Sequence, residues 1–197
     1  MVKRVLDVTL TLLGAPVAAA VTGVMALALA LELRGNPVFI QERVGLHGKR
    51  FRMVKLRTMR YARAGEEAPR IVDDFETYVF SPADAVDPRL TPLGAFARRT
   101  SLDELPNLIN VFLGQMSLIG PRPEIPEIVA QYPSAYHRRH DVLPGIAGLA
   151  QVEGRSDLAY AETIKYDLAY VDKHSVLIDL RILAKSAAAV ARGSGAR

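Results

Sequence analysis

Twenty-four consecutive residues without a charge, Val8 to Leu31, lie between Asp7 and Glu32 and set the first constraint on what this chain can fold into. At about 1.5 Å of rise per residue a straight helix of that length reaches roughly 36 Å, enough to cross the apolar core of a bilayer. A cleaved leader is a poorer explanation, because the run is long and Glu32-Leu33-Arg34 makes a poor processing site. A buried helix of a water-soluble domain would need apolar cover on every side.

Two features of the run disturb a simple spanning helix. Pro16 removes a backbone hydrogen bond about a third of the way along, so a kink or break is expected there. Lys3 and Arg4 precede the run, and Arg34, Arg43, Lys49, Arg50, Arg52, Lys55 and Arg57 follow it. Spanning helices keep lysine and arginine mainly on the cytoplasmic side, yet here both flanks are basic. A segment that enters, bends at Pro16 and returns to the same face removes the conflict, provided the freed backbone groups find partners. The reading divides the chain into a re-entrant membrane anchor over 1–34 and a cytoplasmic domain over 35–197 continuous with it.

Beyond the anchor, Val38 to Glu42 and Arg50 to Leu56 are strand-like and flank Gly45-Leu46-His47-Gly48, which predicts a hairpin. Residues 61–86 are polar and aperiodic and read as a loop or partly ordered insertion. Thr91-Pro92 opens a helix with a capping hydroxyl and proline at its first position. Further helices are expected over 103–114, 124–131, 157–173 and 175–191. The last carries Val176, Leu177, Leu180, Leu183, Ala184, Ala187 and Val190 on one face, a stripe that more often belongs to a core than to a membrane surface. The fold class is therefore α+β, a mostly helical single domain with a small hairpin and an N-terminal helix-break-helix. The absence of cysteine excludes disulfides and thiolate metal sites, and a net charge of +4 points to an anionic partner without choosing one.

The strongest local pattern is Thr100 to Val111, which places Asp103 and Glu104 side by side at a helix start. Exposed N–H groups and the helix dipole favour ionised acids there, so plain capping is the simplest explanation. The chemical alternative is an aspartate nucleophile beside cations, with a metal screening its repulsion from an anionic substrate. Arg98 and Arg99 lie just upstream, Gly120-Pro121-Arg122-Pro123 downstream, and Lys55 on the hairpin. Arginine's planar fork suits phosphate oxygens. Pro144 to Arg155 is glycine-rich and reads as a mobile loop ending in a further arginine, Arg155.

In this order the motifs resemble those of the monotopic phosphoglycosyl transferases, or bacterial sugar transferases, in their small catalytic-core form. The resemblance runs from Lys3 to about residue 185. Its most specific pieces are Lys55-Leu56-Arg57-Thr58-Met59, Ser101 to Pro106, Ser117 to Pro123 and Pro144 to Arg155. It implies a helix-break-helix in the cytoplasmic leaflet with Pro16 at the bend, on the inner membrane of a bacterium. It further implies Asp103 as nucleophile and Glu104 as its partner, with magnesium at the pair, and Lys55, Arg98 and Arg122 at the phosphates. Arg155 is a further substrate-binding candidate. The implied reaction is ping-pong. The aspartate takes the sugar-bearing phosphate of a UDP-sugar and releases UMP, and polyprenyl phosphate then accepts the phosphosugar, an early membrane step of exopolysaccharide or glycoconjugate assembly. Implied partners are the UDP-sugar, polyprenyl phosphate and membrane lipid, and a homodimer is compatible with the sequence. Departures from the family pattern fall at Ala15, Leu143 and Ala147, where serine, a basic residue and threonine are common.

Two other classes compete. A non-catalytic membrane scaffold on the same fold is opposed by the intact set of Asp103, Glu104, Lys55 and Arg122. A nucleic-acid binder built on Lys49 to Arg60 lacks a reading helix and an aromatic platform, so no nucleic-acid partner is expected.

Overall fold

The computed structural model describes residues 2–64, 66, 71–79, 87–154 and 158–192. Its first element is one helix, α1 (Val2–Leu33), with Pro16 inside it. The helical assignment passes through the proline without interruption, so the two helices separated by a break that the sequence suggested are not seen. The helix is long and apolar enough to cross a membrane. Only Asp7, Thr11, Met25 and Leu29 are buried along its length, while Leu12, Leu13, Val17, Val24, Leu27 and Leu31 stand exposed.

Both ends of α1 are fastened to the same body of protein. Near the start, Lys3 Nζ donates to the Ile119 carbonyl at 3.0 Å and pairs with Asp179 at 2.6 Å. Arg4 donates to the carbonyls of Val111 and Phe112, and Asp7 accepts from the Leu118 amide at 3.1 Å. Near the end, Met25 and Leu29 pack with Leu56 and Ala97, and Glu32 accepts from the Leu93 amide at 3.1 Å. Roughly 39 Å of straight helix separates Lys3 from Leu29 at the standard rise.

The hairpin forms as expected. β1 (Val38–Val44) pairs antiparallel with β2 (Arg50–Leu56), in a register that sets Val38 opposite Leu56 and Val44 opposite Arg50. A short 3-10 turn closes it, with His47 and Gly48 both at positive φ. Side chains alternate across a strand, so Phe51 and Met53 of β2 enter the core while Arg50 and Arg52 stay exposed.

α2 (Pro92–Arg99) starts where the sequence placed it, with the Thr91 hydroxyl accepting from Gly94 N at 3.0 Å. The chain then turns through Ser101 at positive φ into a 3-10 helix over Leu102–Asn107, which continues as α3 (Leu108–Phe112). The expected helix over 103–114 is thus a 3-10 piece followed by a short α-helix, with Pro106, which has no amide to donate, in the 3-10 piece. Asn110 locks α3 to β2 by accepting from Val54 N and donating to the Arg52 carbonyl.

Among the described residues the remaining strands form one parallel pair, β3 (Ser117–Ile119) with β4 (Gly145–Ala147), and the other regular elements are helices. α4 (Pro126–Val129) is shorter than the expected 124–131. β4 and α5 (Leu149–Glu153) replace the mobile loop expected over 144–155, because Gly120 and Gly145 let two backbones meet. A Cβ on Gly145 would lie 2.0 Å from Gly120 N. α6 (Tyr160–Lys173) and α7 (Val176–Ala191) close the fold. The apolar stripe of α7 is not core: Ile182 is buried, but Leu177, Leu180 and Leu183 are exposed, so the helix packs through the neighbouring face.

The stretch read as a loop over 61–86 is anchored in its described part. Val72 is buried, and Phe75 and Tyr78 pack on the cluster of Val44, Ile128, Val129, Tyr132, Tyr160 and Ile164. Gly65, Glu67 and Ser81-Pro82 of that stretch, the expected helix start at 157, and Arg155 lie outside the described residues.

The approach of α2 to the end of β2 is unusually close, since a Cβ on Gly94 would sit 2.0 Å from the Thr58 carbonyl oxygen. Gly94→Ala is expected to force the two apart at a cost of about 1–3 kcal/mol. A thermal melt of the purified protein should show a drop of several degrees; an unchanged midpoint would mean that the contact is slack.

Candidate active site

Asp103 and Glu104 occupy the first turn of the 3-10 helix, 6% and 7% exposed. Neither acts as a cap. The N-cap residue is Ser101, whose side chain makes no capping hydrogen bond, so the capping-box spacing is not used. Glu104 instead accepts an ion pair from Arg122 Nη1 at 2.7 Å. Among the described residues Asp103 has no ion pair, yet Lys55, Arg98 and Arg122 are all near enough to act on its charge.

Each cation arrives on a different element. Lys55 projects from β2 one residue before the strand ends. Arg98 comes from the last turn of α2, its Nε donating to the Thr58 hydroxyl at 3.0 Å and its Nη2 reaching the Met59 sulfur at 3.6 Å. Arg122 sits just beyond β3, with a 42% exposed side chain facing a 9% exposed Glu104. The structure therefore brings together five of the residues marked in the sequence: Lys55, Arg98, Asp103, Glu104 and Arg122. Pro16 lies within α1, and Arg155 falls outside the described residues.

Burial dominates the electrostatics. It raises the Asp103 carboxyl above its ordinary range, Glu104 adds to the rise, and Lys55, Arg122 and Arg98 oppose it. Burial also lowers the Lys55 ammonium to about 8, helped by Arg122 and Arg43, with Asp103 pulling the other way. A site with three strong donors around one unpaired carboxylate is suited to a multiply charged phosphate ester.

Sequence reasoning passed over several buried polar residues. Asn107 is 2% exposed, and its Oδ1 has no hydrogen-bond partner. It lies four residues after Asp103 and three after Glu104. Arg43, Glu124, Arg139 and Asp167 are buried around the Gly-Pro-Arg-Pro segment. The one signal available was Glu124 directly after that motif; isolated arginines in a strand or a helical turn carry no mark of burial.

A divalent cation finds a plausible donor set here. No group of three His, Cys, Asp or Glu suited to a metal occurs among the described residues. Two adjacent carboxylates and the unpartnered Asn107 oxygen nevertheless supply hard oxygen donors, and magnesium commonly binds through one or two carboxylates plus substrate phosphates. The residues present fit such an ion.

Comparison with known proteins adds an independent line. The family model described as bacterial sugar transferase matches residues 1–193. The chain is 36% identical over 200 residues to the galactosyl transferase CpsE of Streptococcus agalactiae, matching 99% of this chain and 43% of that protein. It is 34% identical over 202 residues to the exopolysaccharide production protein ExoY of Sinorhizobium fredii, matching 98% of this chain and 87% of ExoY. An Escherichia coli UDP-glucose:undecaprenyl-phosphate glucose-1-phosphate transferase is 37% identical over 191 residues, covering 93% of this chain. The chain spans only 39% of that last protein, so some relatives carry much additional sequence.

The lowered Lys55 gives a pH signature that needs no knowledge of the reaction. The ammonium is charged below its pKa of about 8 and loses its proton above it. Binding of inorganic pyrophosphate, followed by calorimetry, should therefore weaken by roughly tenfold as pH rises past that value, the loss of one charge-assisted bond. Lys55→Arg, which stays charged, should abolish the alkaline decline; a decline that persists would place its origin elsewhere.

Proposed function

This chain belongs to the bacterial sugar transferase family, and we propose that it transfers a sugar-1-phosphate from a UDP-sugar to a polyprenyl phosphate at a membrane surface. The observation that carries the reading is the division of labour between two adjacent carboxylates. Glu104 is held by Arg122 at 2.7 Å, whereas Asp103 is buried, free of any ion pair among the described residues and surrounded by cations. The name of the Escherichia coli relative, a glucose-1-phosphate transferase acting between UDP-glucose and undecaprenyl phosphate, supports the substrate class.

In the proposed reaction an Asp103 carboxylate oxygen attacks the sugar-bearing phosphorus. The bond from that phosphorus to the bridging oxygen breaks, and UMP leaves with the electron pair. The product on the protein is an acyl phosphate bearing the sugar. A phosphate oxygen of the polyprenyl carrier then attacks the same phosphorus, and the Asp103 carboxylate departs unchanged. Lys55, Arg98 and Arg122 hold the phosphate oxygens and balance the charge that builds on them. Magnesium, held by Asp103 and Glu104, would supply further charge neutralisation when bound. Burial and Glu104 disfavour an ionised Asp103, and the three cations oppose that shift and so favour the carboxylate needed as a nucleophile.

The attachment of α1 at both ends supports a monotopic placement on the cytoplasmic face. A helix that crossed the bilayer would leave its two ends on opposite sides, about 30 Å apart through hydrocarbon. Lys3 and Asp7 at one end and Leu29 and Glu32 at the other all contact the same domain. A segment that stays within one leaflet meets that condition, and the basic flanks agree with it. Because the chain contains no cysteine, Val2→Cys and Asn36→Cys provide clean single labels. Neither should react with an impermeant maleimide in intact cells, and both should react after lysis. Labelling of position 2 from outside would restore a spanning helix.

The covalent step has its own test. Protein mixed with a panel of UDP-sugars, without lipid acceptor, should release UMP in a burst of at most one equivalent. Intact-mass analysis should then show one added phosphosugar on the peptide containing Asp103. Asp103→Asn preserves volume and should lose both burst and adduct. An adduct that still forms on this variant moves the nucleophile to another residue.

A further inference from the structure

Arg122 is the most exposed member of the cation set, and its usefulness depends on where its backbone holds it. From Gly120 to Glu124 that backbone is fixed at nearly every residue. Gly120 N donates to the Ala147 carbonyl and Gly145 N to the Pro121 carbonyl, each at 2.9 Å. The Arg122 carbonyl accepts from Arg139 Nη2 at 2.7 Å, and the next carbonyl, Pro123, accepts from Arg43 Nη1 at 3.1 Å. Two consecutive carbonyls are thus each gripped by a buried guanidinium.

Of the two, Arg139 is the more completely enclosed. Its side chain is 3% exposed and that of its partner Asp167, on α6, 2%, with 2.6 Å between them. Arg139 Nη1 donates to the hydroxyls of Tyr132 at 2.6 Å and Tyr160 at 3.0 Å. One planar fork therefore serves a carboxylate, two phenols and the Arg122 carbonyl at once. A lysine, with three donors on one atom, cannot span that set. Stability alone is a weak reason for such an arrangement, since a buried ion pair can often be replaced by apolar residues without loss.

Resting on the transferase reading above, we propose that Arg139 is a positioning residue for the transfer. Anchored by Asp167 on α6, it fixes the Arg122 main chain so that the Arg122 guanidinium stands on Glu104 and faces the incoming diphosphate. Arg139 touches no reacting atom and acts only through Arg122. Arg43 performs the corresponding service one residue later, tied in turn to Glu124 at 3.0 Å and Gln41 at 2.7 Å.

Action through another residue has a signature that general destabilisation lacks. Single-turnover UMP release and thermal midpoints are measured for the wild type, Arg139→Lys, Arg122→Ala and the double variant, all as full chains in nanodiscs. Arg139→Lys keeps the charge opposite Asp167 but releases the carbonyl. It should slow UMP release ten- to hundredfold, the scale of a misplaced catalytic group. On the Arg122→Ala background the same change should alter the rate less than twofold, because nothing remains to be aimed. An equal factor on both backgrounds would show a merely structural role and overturn the proposal, as would a fully active Arg139→Lys. Should that variant fail to fold, Arg139→Gln with Asp167→Asn removes both charges together and is carried through the same cycle, with the same outcomes decisive. A wild type that releases no UMP from any UDP-sugar sinks the transferase reading itself. An active wild type with a multiplicative cycle sinks only the role of Arg139.

Discussion

Two carboxylates on adjacent residues, both more than nine-tenths buried, repel each other and lose hydration together. The elements around the pair meet that one requirement. β2 delivers Lys55, α2 delivers Arg98, and the turn after β3 delivers Arg122. None of these elements is long, and each is positioned by contacts made elsewhere. Asn110 clamps α3 to β2 by its two backbone bonds, Gly94 lets α2 touch the Thr58 carbonyl, and the β3–β4 pair holds the approach to Arg122. Arg122 pairs with Glu104, and Lys55 and Arg98 offset part of the charge of Asp103, so the same cations suit the diphosphate of the proposed reaction. Structural need and substrate affinity therefore come from one set of side chains.

The asymmetry between the carboxylates follows from backbone geometry. Successive residues on a tight helical turn point about 120° apart, so Glu104 can meet Arg122 while Asp103 is left toward Lys55 and Arg98. A neighbouring pair in an extended strand would point to opposite faces, and a pair four apart on a regular helix would share one. The short 3-10 turn that carries them, with Pro106 inside it, gives the adjacent acids different surroundings.

Local chemistry was legible in the sequence where it follows from residues close together. Thr91-Pro92 marked a helix start, the glycine-bearing turn marked the hairpin, and the cations around Asp103 and Glu104 marked the site. What escaped depends on contacts distant in sequence. The glycine-rich 144–154 segment reads as mobile by composition, yet Gly145 is there because Gly120 must approach it to 2.0 Å of a virtual Cβ. The apolar stripe of α7 has the same pattern whether it faces a core or stands exposed, and only the packing of Ile182 and Ile178 shows which face turns inward. Arg139 and Asp167 are 28 residues apart, and neither residue type suggests burial. The family resemblance supplied the roles proposed for the five site residues and the proposed order of the reaction; composition and spacing alone left capping as the simpler account of the acidic pair.

The double fastening of α1 also bears on how such a molecule could be rebuilt. An anchor joined at one end can be exchanged for another protein's helix or removed with little effect on the domain it carries. Here removal would strip Met25 and Leu29 from the packing around Leu56 and Ala97, release Asp179 from Lys3, and leave the Leu118 and Leu93 amides without the side chains of Asp7 and Glu32. The helix enters the domain's packing at Asp7 and Thr11 and again at Met25 and Leu29, and presents a greasy exterior elsewhere. A water-soluble version would have to be made by repainting that exterior, at Leu12, Leu13, Val17, Val24 and Leu27, with the four buried positions left as they stand.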